Sequence, residues 1–490
     1  MTAPMEKDNK GVPNPDISRI ETMGKLREFC QPLSRRAMLR RLVGIGLCLP
    51  VAGFGGPLPQ IPAKPNPSPP AIPAGAHISK DDDEFLEEIE RANFGYFWEQ
   101  ASDRTGLVKD RCNVRDEDRS VVASIAATGF GLTALCIGHK RGYISRAQAR
   151  KRVLTSLRFL WKGLAGHRGF FFHFANINTG ERLWDSEISS IDTTILFCGV
   201  LTCREYFRGD YEIETLAFNI FNRADWSWLA EDTPLLSMGW MPEIGFLPYR
   251  WDDYSELMMM YLLGMGAYSR PLPARTWTSW KRLTFNYQGL EYIGSFAPLF
   301  VHQYSQAWFD FRGRRDQYAD YFLNSKIATE AHRLFCLGLA SKFPDYSQDL
   351  WGITASDSES GAYQVWGGPP GIGPIDGTIV PSAAGGSLAF LPEETIGVLR
   401  NIRTNYAKGA WSKYGFIDAF NPLKNWYDKD VIGIDTGITM LMAENLRTGF
   451  VWKTFMENPE ARRGMERAGL KPYQASYAAE IKSSLTPQGS

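Results

Sequence analysis

Apolar positions recur at helical spacing along most of the chain beyond residue 80. Phe85, Ile89, Phe94 and the pair Phe97–Trp98 form one stripe. Comparable patterns predict helices over 85–102, 120–139, 145–163, 188–207, 211–223, 257–265, 274–283, 315–339, 381–390, 392–405, 435–448 and 453–467. Ser145 reads as a side-chain cap, and Pro381 and Pro392 suit the first turn of a helix. That gives about twelve helices and no run of alternating strand residues. The reading is an all-α protein. Paired helices closed into an (α/α)6 toroid, with a cleft formed by loops at one end, fit the count, and an α-solenoid would give the same number.

Composition narrows the partners more than the fold. The 490 residues carry 54 basic and 54 acidic side chains, so no basic excess points to nucleic acid. Seven cysteines show no metal or redox spacing; Cys136, Cys198, Cys203 and Cys336 fall in apolar helical stretches and read as small core residues. The six histidines show no H-E-x-x-H pattern, so neither a metal nor a cofactor is expected. Aromatic residues make up 13% of the chain and often stand in polar, Gly-rich segments, where they could stack on sugar rings or fill core.

Residues 34–41, SRRAMLRR, precede an apolar run from Leu42 to Phe54 that is short for a membrane span. A twin arginine before such a run reads as an export signal, and hence a periplasmic or secreted protein. The expected organisation is a signal region over 1–56, a Pro-rich linker over 57–80, a catalytic domain over 81–470 and a tail over 471–490. No stable membrane span is expected in the mature form.

Chemistry concentrates in a few loops. The stretch RWDDYSELMMMYLLGMGAY, Arg250 to Tyr268, passes from a charged aromatic loop into an apolar helix, with Glu256 at the seam. Asp253 or Ser255 can cap that helix. Glu256 is then either a helix-start charge or an acid shielded by Trp251 and Tyr254, whose burial would raise its pKa. The segment 169–194 holds Asp185, Glu187 and Asp192; Glu187 and Asp192 share a pocket only if a loop or kink separates them, and Asp192 could simply cap a helix. Arg312, Arg314, Arg315 and Asp316 read first as a structural ion-pair cluster. Gly-rich turns at 351–384 and 415–437 contain Asp357, Asp376, Asp418, Asp430 and Asp435, and loops of that length are often functional.

The motifs HQYSQAWFDFRGRRD, WGITASD, DGTIVPSAAGGSLAFLPEE, YGFIDAFN and GIDTGITMLMAENLRTGFVW, with SEISSIDT and YSE upstream, resemble the glycoamylase-like glycoside hydrolase family. They run in family order over about residues 85–455. The resemblance implies an (α/α)6 toroid, action on β-1,2-glucan and an anomer-inverting mechanism without metal. It places the general acid at Glu256 and a base or substrate residue at Glu187, with Asp192 and Asp435 at acidic motif positions. Where the family reads GIDQGP this chain reads GIDTGI, so Thr436 and Ile438 alter the surroundings of Asp435.

Inversion needs one protonated carboxyl and one carboxylate that activates water. Glu256 is assigned as acid; the base is Glu187 first, then Asp435 or Asp192. Trp240, Trp251, Trp308, Trp366 and Trp426 are candidates for sugar stacking, Arg250, Arg312 and His302 for hydroxyl groups, and Tyr254 and Asp185 are further substrate-binding candidates. The rivals are a transglycosylase on the same glucan and a non-catalytic glycan-binding protein of the same fold. Oligomeric state is left open.

Overall fold

The computed structural model describes residues 78–369 and 373–473. The expected export signal and nearly all of the expected Pro-rich linker lie outside the described residues. The helices that carry the architecture are α1 Lys80–Glu99, α2 Ile125–Lys140, α3 Arg146–Lys162, α4 Ser190–Tyr206, α5 Tyr211–Asn222 and α6 Met258–Gly266. They continue with α7 Tyr304–Trp308, α8 Tyr321–Gly338, α9 Pro381–Gly385, α10 Pro392–Asn405, α11 Gly433–Thr448 and α12 Pro459–Arg467. Strands among the described residues are only two to five residues long and pair as hairpins or small ladders.

Helices α2, α4, α6, α7, α9 and α11 are buried on nearly every side. An apolar surface all round a helix is what a central position demands. Neighbours follow one another: α2 packs on α4, α4 on α6, α7 on α11, α9 on α11, and α11 on α2. The remaining helices are amphipathic and lie outside: α1 against α11 and α2, α3 against α2, α5 against α4, α10 against α9 and α12 against α6. The α2–α4 approach is close because both helices present glycine; a Cβ on Gly199 would stand 2.1 Å from the Gly129 carbonyl oxygen.

A circuit of hydrogen bonds joins the N-terminal ends of the central helices. Ile125 N–H reaches His173 O (3.3 Å), and His173 N–H reaches Glu187 O (2.9 Å), just before α4. The Trp251 indole ties the loop before α6 to Ser190 of α4 (2.9 Å), and the Ser305 hydroxyl of α7 donates to Glu256 O (2.8 Å). Phe300 N–H reaches the Thr354 hydroxyl, Val380 N–H reaches Gly352 O, and Ile379 N–H reaches Phe420 O. Asp418 N–H to Asp430 O, Gly433 N–H to Asp110 O and Asp110 N–H to Val122 O return the chain of bonds to α2. One end of the central helices is therefore a continuous loop layer.

The opposite end is locked by buried charge. Arg447 near the end of α11 bonds Asp83, Glu87 and Glu90 of α1, while Arg141 after α2 reaches Glu444 (2.6 Å). Burial, reinforced by Glu444, pushes the Glu90 carboxyl well above its usual range. Gly449 ends α11 in the left-handed conformation (φ 65°) that glycine adopts freely.

Several expectations change. The stretches 120–139 and 188–207 each begin as a strand, Val122–Ser124 and Ile188–Ser189, before turning helical. Their partners, Phe174–Asn176 and Gly239–Met241, are distant in sequence, so a local period could not reveal them. The 453–467 run divides at Asn458–Pro459, where proline starts a new helix. The 274–283 helix stops at Ser279, and Leu283–Tyr287 forms a hairpin with Leu290–Gly294 through Gln288 and Gly289, both at positive φ. Helix α8 begins at Tyr321, not near 315, because Asp320 caps it and residues 314–315 pair as a strand with Lys471–Pro472. That pairing also docks the first residues of the expected tail. The domain starts slightly earlier than expected, at Lys80, capped by Ser79. Cys136, Cys198, Cys203 and Cys336 are buried free thiols, as expected, with Cys136 and Cys203 Sγ 3.7 Å apart. Among the described residues no helix is long and apolar enough to cross a membrane.

Candidate active site

Three strands of the loop layer run directly into central helices: Val122–Ser124 into α2, Ile188–Ser189 into α4 and Asp430–Ile432 into α11. Asp192 and Asp435 each stand third in their helix, where unpaired N–H groups and the helix dipole favour a carboxylate. Asp192 is therefore not the cap. Ser189 caps α4, accepting from Asp192 N–H at 3.1 Å and donating to the Asp192 carboxylate.

Glu187 lies just before that strand, in the non-helical stretch that a shared pocket requires. His173 stands between the two acids, with Nδ1 3.5 Å from Glu187 Oε1 and Nε2 3.7 Å from Asp192 Oδ2. Its ring stacks on Phe174 at 3.9 Å. All three are largely buried, so the imidazole stands within ion-pair distance of both acids and out of bulk water.

Glu256 occupies the turn before α6 and is 7% exposed. The expected cap is not formed. Asp253 is turned toward Lys281 (3.4 Å), Ser255 accepts only a long bond from Leu257 N–H (3.4 Å), and α6 starts at Met258 without a side-chain cap. Trp251 and Tyr254 are both buried, the Tyr254 ring packing on His302 at 5.0 Å. Burial drives the His302 imidazole down to about 3, so it is neutral.

A second group of acids lies in the loop segments before α11. Arg111 bonds Asp357 (2.5 Å) and Asp110 (3.0 Å). Burial opposes its charge, but Asp357 and Asp110 outweigh it and hold the guanidinium protonated more firmly than usual. Burial, with Asp435 and Asp357 nearby, raises Asp418 well above the carboxylate range, and burial with Asp357 pushes Asp428 up to about 7.

The other expected residues divide. Trp366 is buried at this end, its indole N–H on Ser356 (2.7 Å) beside Asp357. Trp426 and Trp240 are half-buried in the loop layer, Trp240 stacked on His167 at 4.4 Å. Asp185 is exposed at positive φ two residues before Glu187. Trp308 is core: it is fully buried and bonds Thr133 between α7 and α2, so it cannot stack on a sugar. Arg312 is at the wrong end, lying over Trp452 and bonded to Asp310 beyond the C-terminus of α7. Beside it, Arg314 and Arg315 lie in a short strand paired with Lys471–Pro472, and Asp316 accepts from Trp277 and Tyr321. Arg250 is committed to Glu231 and to the carbonyls of Ala230 and Leu235, a clamp on its own loop. His173, Arg111 and Asp428 were not singled out from sequence; His173 lies within a segment recognised for its acids, and Arg111 carries no local signal.

Residues 248–459 match the Glycoamylase family model, a span that includes both Glu256 and Asp435. An exo β-1,2-glucooligosaccharide sophorohydrolase (non-reducing end) from Parabacteroides distasonis is 28% identical over 424 residues, 79% of this chain. The chain spans 58% of that relative's length. The solved endo-β-1,2-glucanase of Chitinophaga pinensis, in complex with sophorotriose and glucose, is 28% identical with a TM-score of 0.75, over 80% of this chain and 99% of the other. A β-1,2-glucanase from Parabacteroides distasonis gives 26% identity and a TM-score of 0.74, over 79% of this chain and 60% of the other. The family-model match over 248–459 and the fold shared with β-1,2-glucanases at 26–28% identity agree in making this chain similar to the glycoamylase-like glycoside hydrolases.

Proposed function

We propose that the protein is an exported glycoside hydrolase that cleaves β-1,2-glucan or its oligosaccharides with inversion at the anomeric carbon, on an (α/α)6 toroid. The order of neighbours among the central helices, with amphipathic helices outside them, supports the toroid. The names of the relatives support the linkage. The twin arginine at Arg35–Arg36 supports export to the periplasm or beyond.

The observation that carries the catalytic reading is the bond between Trp251 and Ser190. It joins the loop that holds Glu256 to the start of α4, next to Glu187 and Asp192, which supports a reading in which acids from separate segments share one cleft. Glu256 donates its proton to the leaving glycosidic oxygen. A carboxylate across the cleft takes a proton from water as the water attacks the opposite face of the sugar. Glu187 is the first candidate for that base, oriented by His173; Asp435 and Asp192, each at a helix start, are the alternatives. The half-buried Trp240 and Trp426 offer faces on which sugar rings can stack.

The test is incubation of the purified full chain with β-1,2-glucan and, separately, with β-1,3-glucan, β-1,4-glucan and starch, with Glu256→Gln in parallel. Sophorose or short β-1,2 oligomers from the wild type alone support the reading. Transfer products without net hydrolysis favour a transglycosylase, and binding without new reducing ends favours a glycan-binding protein.

A further inference from the structure

Asp357, Asp418 and Asp428 reach one point from three separate stretches of chain. Asp357 ends the strand Ala355–Asp357, Asp418 follows Gly415–Phe416, and Asp428 lies between Trp426–Tyr427 and Asp430–Ile432. Each offers a carboxylate oxygen, and these oxygens lie within 4.8 Å of one another. A calcium ion holds its oxygen ligands at about 2.3–2.6 Å, so oxygens on opposite sides of one ion stand about that far apart.

A second observation concerns how the carboxylates are used. Asp418 Oδ2 accepts from Asp357 N–H at 2.6 Å, and Asp428 Oδ1 from Lys429 N–H at 2.7 Å. Backbone donors thus fix one oxygen of each. The other oxygens, Asp418 Oδ1 and Asp428 Oδ2, are buried and have no hydrogen-bond donor among the described residues, in side chains 2% and 6% exposed. Leaving a buried acceptor unsatisfied is costly, and more so when it is charged. The neighbouring guanidinium of Arg111, bonded to Asp357, cannot balance three carboxylates, with Lys429 beyond it and Asp430 and Asp435 adding negative charge.

We infer that Asp357, Asp418 and Asp428 bind a calcium-class divalent cation. The donor set is oxygen only, with no imidazole or thiolate, which suits a hard cation over a transition metal. Carbonyl oxygens or water complete the coordination. The ion clips three loop segments together where they feed α11 and Asp435. Its role is to hold that end of the cleft in shape, and the inference is independent of which glycan is cleaved.

The experiment uses the full chain, stripped of metal with a chelator and desalted. Calcium chloride alone is titrated by calorimetry, magnesium chloride is a second arm, and the thermal midpoint is read with and without each salt. Saturable binding of one calcium per chain, weaker binding of magnesium and a midpoint raised by calcium are expected. Asp418→Asn and Asp428→Asn should each lower calcium affinity by about tenfold or more, and Asp116→Asn, at an exposed turn, should leave it unchanged. If one of the pair does not fold, Asp428→Glu, which keeps the charge and moves the oxygen, serves in its place. No saturable binding by the wild type overturns the proposal, as does affinity unchanged in the folded variants. A midpoint that ignores calcium but rises on Asp428→Asn also overturns it, because a shared proton would then satisfy the group.

Discussion

Trp251 is held at both ends of its residue. Its indole N–H donates to the Ser190 hydroxyl at 2.9 Å, and its carbonyl accepts from the Tyr261 hydroxyl at 2.8 Å. Ser190 in turn donates to Met238 O at 2.9 Å. The loop before α6 is therefore positioned by α4 and by α6 itself. Trp251→Phe keeps most of the buried ring and removes the indole donor. The expected stability loss is about 1 kcal/mol, that of one buried neutral hydrogen bond. Activity should fall further than stability does, by about tenfold or more, because small misplacement of an acid is costly. Urea unfolding and glucan hydrolysis measured on the same sample would separate the two effects.

Glu256→Gln should leave folding intact, since the amide has the same shape as the carboxyl. Loss of a general acid costs about 10²–10⁴ in rate. The discriminating measurement uses an aryl glycoside whose leaving group needs little protonation. The variant should lose much less on that substrate than on glucan. Equal losses on both would assign Glu256 to binding.

His173 is predicted to act through Glu187 and Asp192, which it bridges at 3.5 Å and 3.7 Å. His173→Ala removes the bridge and should lower kcat by about tenfold or more while KM changes little. His173→Gln, which restores a hydrogen-bonding group, should recover part of the loss. Unchanged kcat in both variants would leave His173 a packing residue against Phe174.

His302 and His332 make folding sensitive to acid. Burial lowers His302 to about 3 and His332 to about 4, below the ordinary value of 6.5. The His332 Nε2 accepts from Ile353 N–H at 3.1 Å, a bond that a proton would abolish. Between 6.5 and these values the unfolded chain binds more protons than the folded one, so stability falls as the pH falls. At pH 5 linkage gives up to about 2 kcal/mol for each group. The difference in midpoint between wild type and His332→Gln should therefore shrink from pH 7 to pH 5. A constant difference would contradict the neutral assignment.

Arg204 on α4 bonds Asn458 (2.6 Å) and Glu460 (3.2 Å), pinning α12 from within the protein. Arg204→Ala strands a buried carboxylate and should cost about 3–5 kcal/mol. The paired replacement Arg204→Met with Glu460→Met should be milder, since no lone charge is left. Thermal unfolding of both proteins checks the order.

The helices were legible wherever an amphipathic face met a cap or a proline. Ser145 does cap α3, with Gln148 closing a capping box, and Pro392 opens α10 as expected. Glu187, Glu256 and Asp435 were legible as acids in polar, aromatic loops, and the family resemblance set them apart from the other acids there. Three things were not legible for one reason. Val122–Ser124 as strand, Trp308 as core and Arg312 at the far end are each settled by a partner far along the chain: Phe174–Asn176, Thr133 and Trp452.

The sequence by itself determined the helical class, the approximate helix bounds, the family resemblance and the acids worth watching. These follow from local periodicity, caps and contiguous motifs, all written within a few turns of chain. Tertiary structure decided which acids share a space. His173 meets Asp192 across 19 positions, Trp251 meets Ser190 across 61 and Arg111 meets Asp357 across 246. Such pairings are fixed by how central helices pack and which strands pair beside them. Burial, which gives these groups their altered chemistry, exists only once that packing is complete.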